Sequence, residues 1–379
     1  MNIPNRFFRS VFAAGVVTIL AVGSAQAAKT VRANAGVGPK HPMNDVSLPA
    51  LFKHVEEKTN GGLTFKHYTG GSLLTLKATM NGLRDGIADL GVIVYSYHRG
   101  ELRATQILAD LSNLGKDAAV MAGVSTEFYL LKCPQCVTER HAQGIVSLAG
   151  YTSAPYVIIS KDKITTLEEI KGKKIRTGGG SFGLWGQHVG ATEVNIPVNE
   201  MFDAFSAGVI EAGVQTIGGL RSYGFWDPAK HVTDLKLGSF SAATLAAVGR
   251  DFWKGLTTEE RAAMLEGTLV AMGKHIEAYD EDVNSIMAPA KEKGVQIHEP
   301  GADLQKATDE FDASSIGRAK TLAVEQHGVE GGAQLVDEFV ALVDKWNKLI
   351  KPVRNDYTAI QALLKREIYD KIDPATWGM

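Results

Sequence analysis

The densest chemistry in the chain sits in one short segment. Gly178-Gly179-Gly180-Ser181-Phe182-Gly183 fits two functional patterns at once. Through Gly178, Gly180 and Gly183 it reads as G-x-G-x-x-G, the turn that lets a dinucleotide pyrophosphate approach a helix N-terminus. Through Gly179, Ser181 and Gly183 it reads as G-x-S-x-G, the elbow that presents a serine nucleophile. Both need partners. A dinucleotide site wants an acid about twenty residues on, at the end of the next strand. Glu200 and Asp203 lie at that distance, but in or beside the helical stripe of Met201, Phe202, Phe205 and Val209. A serine nucleophile needs a later acid and then a histidine. His231, His275 and His298 follow, each in an undistinguished, surface-like context, and no HGGG-type loop precedes Ser181. A third reading requires no reaction. A glycine-rich turn at a helix N-terminus exposes backbone N–H groups to an anion, and Arg176 just upstream offers a fork that matches a carboxylate. Carboxylate binding is favoured, and an exported serine hydrolase using Ser181 is the competing class.

The other reactive pair is Cys133-Pro134-Gln135-Cys136, the only two cysteines in the chain. No second C-x-x-C completes a zinc site, so no metal and no cofactor are expected. A structural disulfide, free thiols and redox catalysis are the alternatives, and an oxidising compartment favours the first. The N-terminus indicates such a compartment. Arg6 and Arg9 precede an apolar run from Val11 to Val22, and Ala25-Gln26-Ala27 supplies the small residues of a cleavage site. This pattern predicts a signal peptide over residues 1–27, cleaved after Ala27, and a periplasmic protein. Cleavage would remove two of 40 basic residues and none of 42 acidic ones, leaving 38 against 42, a net charge of −4. Nothing there suits nucleic acid, which asks for a concentrated basic face. The length exceeds what one core usually serves, so two domains are expected.

Around these residues the chain alternates strands and helices. Thr30 to Ala35 reads as a strand, followed by the loop Gly36 to Pro42. Leu48, Leu51, Phe52 and Val55 then mark one face of a helix, and Leu63 to Tyr68 a second strand. Tyr156 to Ser160 is a β-rich run. Capping-box spacing in Thr165-Thr166-Leu167-Glu168-Glu169 opens a short helix, which Gly172 ends before a strand over Lys173 to Arg176. Phe240 to Val248 has the small apolar residues of a buried strand, and Thr257 with Glu260 opens a helix to about Tyr279. After a break at Gly328 and Gly331-Gly332, Leu335, Phe339, Leu342, Trp346 and Leu349 form a stripe that faces a core or, alternatively, a coiled-coil partner. The fold class is α/β.

Several segments together resemble the DctP-type binding proteins that serve tripartite ATP-independent periplasmic (TRAP) transporters. Thr165 to Arg176 is similar to the family's "I-x-x-x-x-D-L-K-G-x-K-I-R". Glu200 to Ala212, EMFDAFSAGVIEA, is similar to "E-x-Y-x-A-L-Q-x-G-V-I-D-G". Phe52 to Thr59, Gly70-Gly71-Ser72-Leu73 and Leu83 to Asp89 follow the family's opening pattern, in order and at its spacing. The resemblance implies a two-lobed periplasmic binding-protein fold with crossing hinge strands and a long helix spanning both lobes. Residues 28–153 and 242–281 would form the first lobe. Residues 154–241 and 282–379, with the long C-terminal helices, would form the second. It also implies a small organic-acid ligand, TRAP membrane subunits as partners and no enzymatic activity.

The family's carboxylate-pairing Arg falls on Arg176, and its amide-bearing position on Gln215, although the surrounding residues differ. Tyr95, Tyr97 and Trp185 are candidate aromatic walls, as are Tyr223 and Trp226, and Ser181 is a candidate polar contact. A departure decides the ligand class. Many members carry a second Arg where this sequence has Tyr156. With one cation fewer, a monocarboxylate with an apolar or aromatic body is expected, because an unpaired buried charge is costly. The Tyr ring offers stacking area and one hydroxyl instead.

Overall fold

The computed structural model describes Met1 and residues 28–379. The expected signal peptide, residues 1–27, otherwise lies outside the described residues. Eleven strands form among them. In chain order they are β1 (Lys29–Ala35), β2 (Leu63–Thr69), β3 (Leu90–Val94), β4 (Ile145–Ser147), β5 (Tyr156–Ser160) and β6 (Lys174–Thr177). The rest are β7 (Thr192–Asn195), β8 (Ala212–Thr216), β9 (His231–Thr233), β10 (Ala243–Gly249) and β11 (Gln296–His298).

These strands make two sheets, ordered β2-β1-β3-β10-β4 and β11-β9-β5-β8-β6-β7. In the first, β1 runs parallel to β2 and β3, while β10 enters antiparallel between β3 and β4. In the second, β5 enters antiparallel between β8 and β9. The two inserted strands are therefore the ones that arrive from the opposite lobe. The crossing segments ahead of β5 and β10 pair with each other. Tyr156 donates its N–H to the Gly238 carbonyl at 2.8 Å, and Leu237 donates to the Tyr156 carbonyl at 2.9 Å. Tyr156 thus sits on the hinge itself.

The expected helix signals take definite form. Thr166 and Glu169 make the capping box of the Leu167–Ile170 helix, and Thr257 and Glu260 that of the Thr258–Ser285 helix. The second helix runs six residues past the expected end. At about 1.5 Å per residue it is long enough, at roughly 42 Å, to lie along both lobes. Its early turns pack on the Leu48–Lys58 helix, and near its end Asp282 pairs with Arg221 of the second lobe.

One boundary differs from expectation. Of the C-terminal helices expected with the second lobe, Ala302–Ala313 packs there on the Ser181–His188 helix, whereas Gly332–Ile350 and Tyr357–Glu367 pack on the first lobe. Trp346 donates its indole N–H to Glu127 at 2.8 Å, and Lys345 pairs with the same carboxylate. The cause is the Ala118–Glu127 helix of the first lobe, which is buried along its whole length. A helix apolar on all sides must be covered on all sides. Gly123 lets the Trp346 ring approach, since a Cβ there would lie 2.1 Å from the ring. The Leu335–Trp346 stripe is used up inside the molecule and leaves no coiled-coil seam. Cys133 and Cys136 form a disulfide at the start of the Pro134–Ala142 helix, both sulfurs buried.

Candidate functional site

The carboxyl end of β6 meets the crossing strands and the long helix at the interlobe cleft, the position where open α/β sheets bind ligands. Arg176 stands there, only 2% exposed. Its Nε donates to the Ile196 carbonyl at 3.0 Å and its Nη2 to the Tyr97 hydroxyl at 3.3 Å. Its Nη1 is buried with no hydrogen-bond partner. Among the described residues the guanidinium's partners are a carbonyl and a hydroxyl, never a carboxylate. A buried cation without a counter-charge is expensive, and this one lines a cleft. The arrangement suits an anion with two oxygens.

Tyr97 comes from the Tyr95–Tyr97 turn after β3, in the first lobe. Its hydroxyl accepts from Arg176 and from the Val198 N–H at 3.2 Å, both in the second lobe. With both lone pairs engaged, its own hydrogen is free to donate. Gln215, on β8 between β5 and β6, accepts the Thr216 N–H at its own Oε1 at 2.7 Å. That leaves its NH₂ donors for the cleft. Tyr156 packs on Phe182, at 4.8 Å, and Phe240, at 5.8 Å, and those two rings lie 6.4 Å apart, so the three form one aromatic cluster. Burial holds its hydroxyl pKa well above the usual value, so it stays protonated.

A second group of polar side chains lines the same cleft. His41 packs edge-on against Tyr223 and Tyr279, and the Tyr279 and Tyr151 hydroxyls lie 2.5 Å apart. Burial, with His275 adding to it, pushes the His41 pKa down to about 3. His275, expected at the surface, is instead fully buried between Ser47 and the Thr152 carbonyl, and burial pushes its pKa down to about 4. Both imidazoles are neutral at ordinary pH, so Arg176 is the one cation among the described cleft-lining residues.

Four of the seven expected site residues therefore meet: Arg176, Gln215, Tyr156 and Tyr97, joined by Tyr223. The others stand elsewhere. Tyr95 turns back into the first lobe, its hydroxyl on Ser147 and its ring against Tyr129. Trp185 is fixed in the second lobe by its indole N–H to Thr308 at 3.0 Å. Trp226 lies on an outer groove under Lys293. Ser181 is buried and its Oγ has no hydrogen-bond partner, so it lacks the contact to a base that activates a serine. The glycines beside it serve packing. A Cβ on Gly180 would lie 2.4 Å from the Ala109 carbonyl oxygen of the first lobe. His41, Tyr151, Tyr279 and Phe240 were not anticipated. The one available signal was that His41 occupies the loop after a parallel strand, at its carboxyl end.

The chain matches the family model of the bacterial extracellular solute-binding proteins, family 7 (DctP), over residues 35–315. The chain belongs to that family. Its members are extracellular solute receptors rather than enzymes. A relative in Albidiferax ferrireducens, a solute-binding protein, is 24% identical over 189 residues, 49% of this chain and 54% of that protein. The match thus spans about half the length of that relative. Among solved structures, a TRAP periplasmic solute-binding protein of Bordetella bronchiseptica with bound (R)- and (S)-mandelate superposes with a TM-score of 0.72 at 19% identity. The match covers 84% of this chain and 99% of that one. A marine-metagenome TRAP protein specific for aromatic acids, solved with 3-hydroxybenzoate, gives 0.75 at 18% identity, covering 84% and 99%. These likenesses establish the two-lobed α/β fold. No helix among the described residues is long and apolar enough to cross a membrane, and no cluster of three metal-ligating side chains forms among them.

Proposed function

We propose that this protein captures a small monocarboxylate with an apolar or aromatic body in the interlobe cleft and delivers it to TRAP membrane subunits. Export to the periplasm, with cleavage after Ala27, belongs to the same reading. The observation that carries it is the Arg176 guanidinium, buried with Nη1 unpartnered and without a carboxylate beside it. A ligand carboxylate supplies the missing charge and accepts from Nη1, with the Tyr97 hydroxyl and the Gln215 amide as further donors. One cation favours one negative charge, because a second buried carboxylate would go unneutralised. Tyr156, Tyr223 and Phe240 supply aromatic walls. Mandelate and 3-hydroxybenzoate in the solved relatives fit the same chemistry.

Calorimetry on the mature protein with matched acids tests this. Benzoate, phenylacetate and 3-hydroxybenzoate should include a binder tighter than succinate or malate. A dicarboxylate that binds more tightly than every monocarboxylate would defeat the ligand class. Failure of every acid to bind would defeat the anchor.

A further inference from the structure

The carboxylate reading leaves the second polar group in the cleft unused. Its hydrogens can be counted. His41 accepts the Met43 N–H at Nδ1, 3.2 Å away. A backbone N–H only donates, so Nδ1 presents a lone pair, and a neutral ring must carry its proton on Nε2. That proton points to the Tyr279 hydroxyl at 3.3 Å. Tyr279 and Tyr151 share one hydrogen bond at 2.5 Å. Two hydroxyl hydrogens serve one shared bond, and His41 Nε2 cannot accept the other. One hydroxyl hydrogen is left without a protein acceptor among the described residues. Both tyrosines line the cleft, as does His41.

Three distant segments converge to build this arrangement: the loop after β1, the crossing segment before β5, and the long helix. Tyr151 and Tyr279 are buried, at 6% and 2% exposure, so bulk water does not readily take the spare hydrogen.

We propose that this His41–Tyr279–Tyr151 chain is a second recognition point, which selects a ligand carrying a neutral oxygen acceptor, a keto or hydroxyl oxygen, besides its carboxylate. The proposal rests on the monocarboxylate reading. An added carboxylate would find no cation at this end of the cleft. An ammonium group would meet no Asp or Glu among the described cleft-lining residues and would leave the spare hydrogen unbonded. Tyr151 and Tyr279 contact the ligand, and His41 is a positioning residue that fixes the direction of the chain.

The test compares acids that differ only in the oxygen: phenylacetate with phenylglyoxylate, and benzoate with 3-hydroxybenzoate. In the wild type, at least one oxygenated acid should bind tenfold or more tightly than its parent. Proton counting makes an unusual demand on the variants. Tyr151→Phe and Tyr279→Phe each leave one hydroxyl hydrogen unspent, so each alone should keep most of the preference. The double variant still leaves the His41 Nε2 hydrogen without an acceptor, so the triple variant with His41→Phe added should lose the preference, the ratio between oxygenated acid and parent falling to within threefold of one. A chain that only props the cleft would weaken parent and oxygenated acid alike and leave their ratio unchanged. Equal binding of both partners of each pair by the wild type overturns the proposal, even if the triple variant fails to fold. A preference that survives in the triple variant also overturns it. If no acid binds the wild type, the carboxylate reading falls, and this inference with it.

Discussion

Replacing Arg176 with Met keeps the length of the stem and removes the charge, which separates binding from folding. Two effects oppose each other in the ligand-free protein. The variant loses the hydrogen bonds to the Ile196 carbonyl and the Tyr97 hydroxyl, each worth about 1 kcal/mol net, or somewhat more because the donor is charged. Against that, a guanidinium with Nη1 buried and unpartnered carries a desolvation penalty of several kcal/mol, which the variant no longer meets. The balance predicts ligand-free stability no more than about 1 kcal/mol below wild type, or above it; for a chain of this size that is roughly 2 °C in Tm. Binding should move the other way. Truncating one side of a buried charge pair costs about 2–5 kcal/mol, which is roughly 30-fold to several thousandfold in Kd. Arg176→Lys should fall between, because an ammonium cannot form the fork. Thermal unfolding without ligand and calorimetry with 3-hydroxybenzoate read both quantities. Affinity within threefold of wild type in the Met variant would refute the anchor. Normal loss of binding with a stability loss above about 3 kcal/mol would refute the charge-burial argument.

Stability should fall on acidification, with buried histidines contributing. His41 and His275 have folded-state pKa values pushed down to about 3 and about 4, against about 6.5 unfolded. The unfolded chain takes up protons first, so the contribution is full above pH 6.5 and is lost as pH falls toward those values. Each should cost about 2 kcal/mol between pH 8 and pH 5. In urea melts, His275→Gln should shrink the drop by about that amount, and an unchanged drop would remove His275 from the account. Gly180→Ala should weaken ligand binding and enlarge the radius of gyration of the liganded protein, because its Cβ would meet the Ala109 backbone of the opposite lobe at φ +55°; wild-type scattering and affinity would show that the turn is not a contact between lobes. Arg176→Met without ligand should scatter like liganded wild type, since no buried charge opposes closure; a curve like that of ligand-free wild type would count against this.

Much of the fold was legible because its signals are local. The capping boxes at Thr166 and Thr257, the Leu48–Val55 stripe and the β-rich run at Tyr156 all report on their own few neighbours. What was not legible depends on distant partners. Tyr95 and Tyr97 are equivalent in sequence, two residues apart. The short turn after β3 sends the first ring back onto Tyr129 and the second across to Arg176, and no periodicity distinguishes them. Trp185 follows the glycine turn as a ligand wall would, but Thr308 of a helix far along the chain claims its indole. Tyr279 marked only the expected end of a helix, and Tyr151 had no pattern around it. Their role depends on a loop histidine more than a hundred residues away from either. The packing of Gly332–Ile350 and Tyr357–Glu367 on the first lobe was hidden for the same reason, since the need to cover the Ala118–Glu127 helix cannot be read from their own sequence.

Tyr97 links the ligand's charge to the position of the lobes. Its single hydroxyl accepts from Arg176 and from the Val198 N–H across the cleft, so the contact between lobes and the contact to the anchor share one oxygen. Making that contact dries the guanidinium. Without an anion, closure buries a lone cation and is opposed by its desolvation. With a monocarboxylate on Nη1, the same closure buries a neutral pair and adds the Tyr97 hydrogen as a further donor to the ligand. A ligand shifts a conformational equilibrium only by its differential affinity for the two states, and here that difference is the charge it brings. A dianion would overshoot, leaving one negative charge to bury in place of one positive charge. On this argument a single cation in the cleft does more than set affinity. It makes closure conditional on a ligand of matching charge.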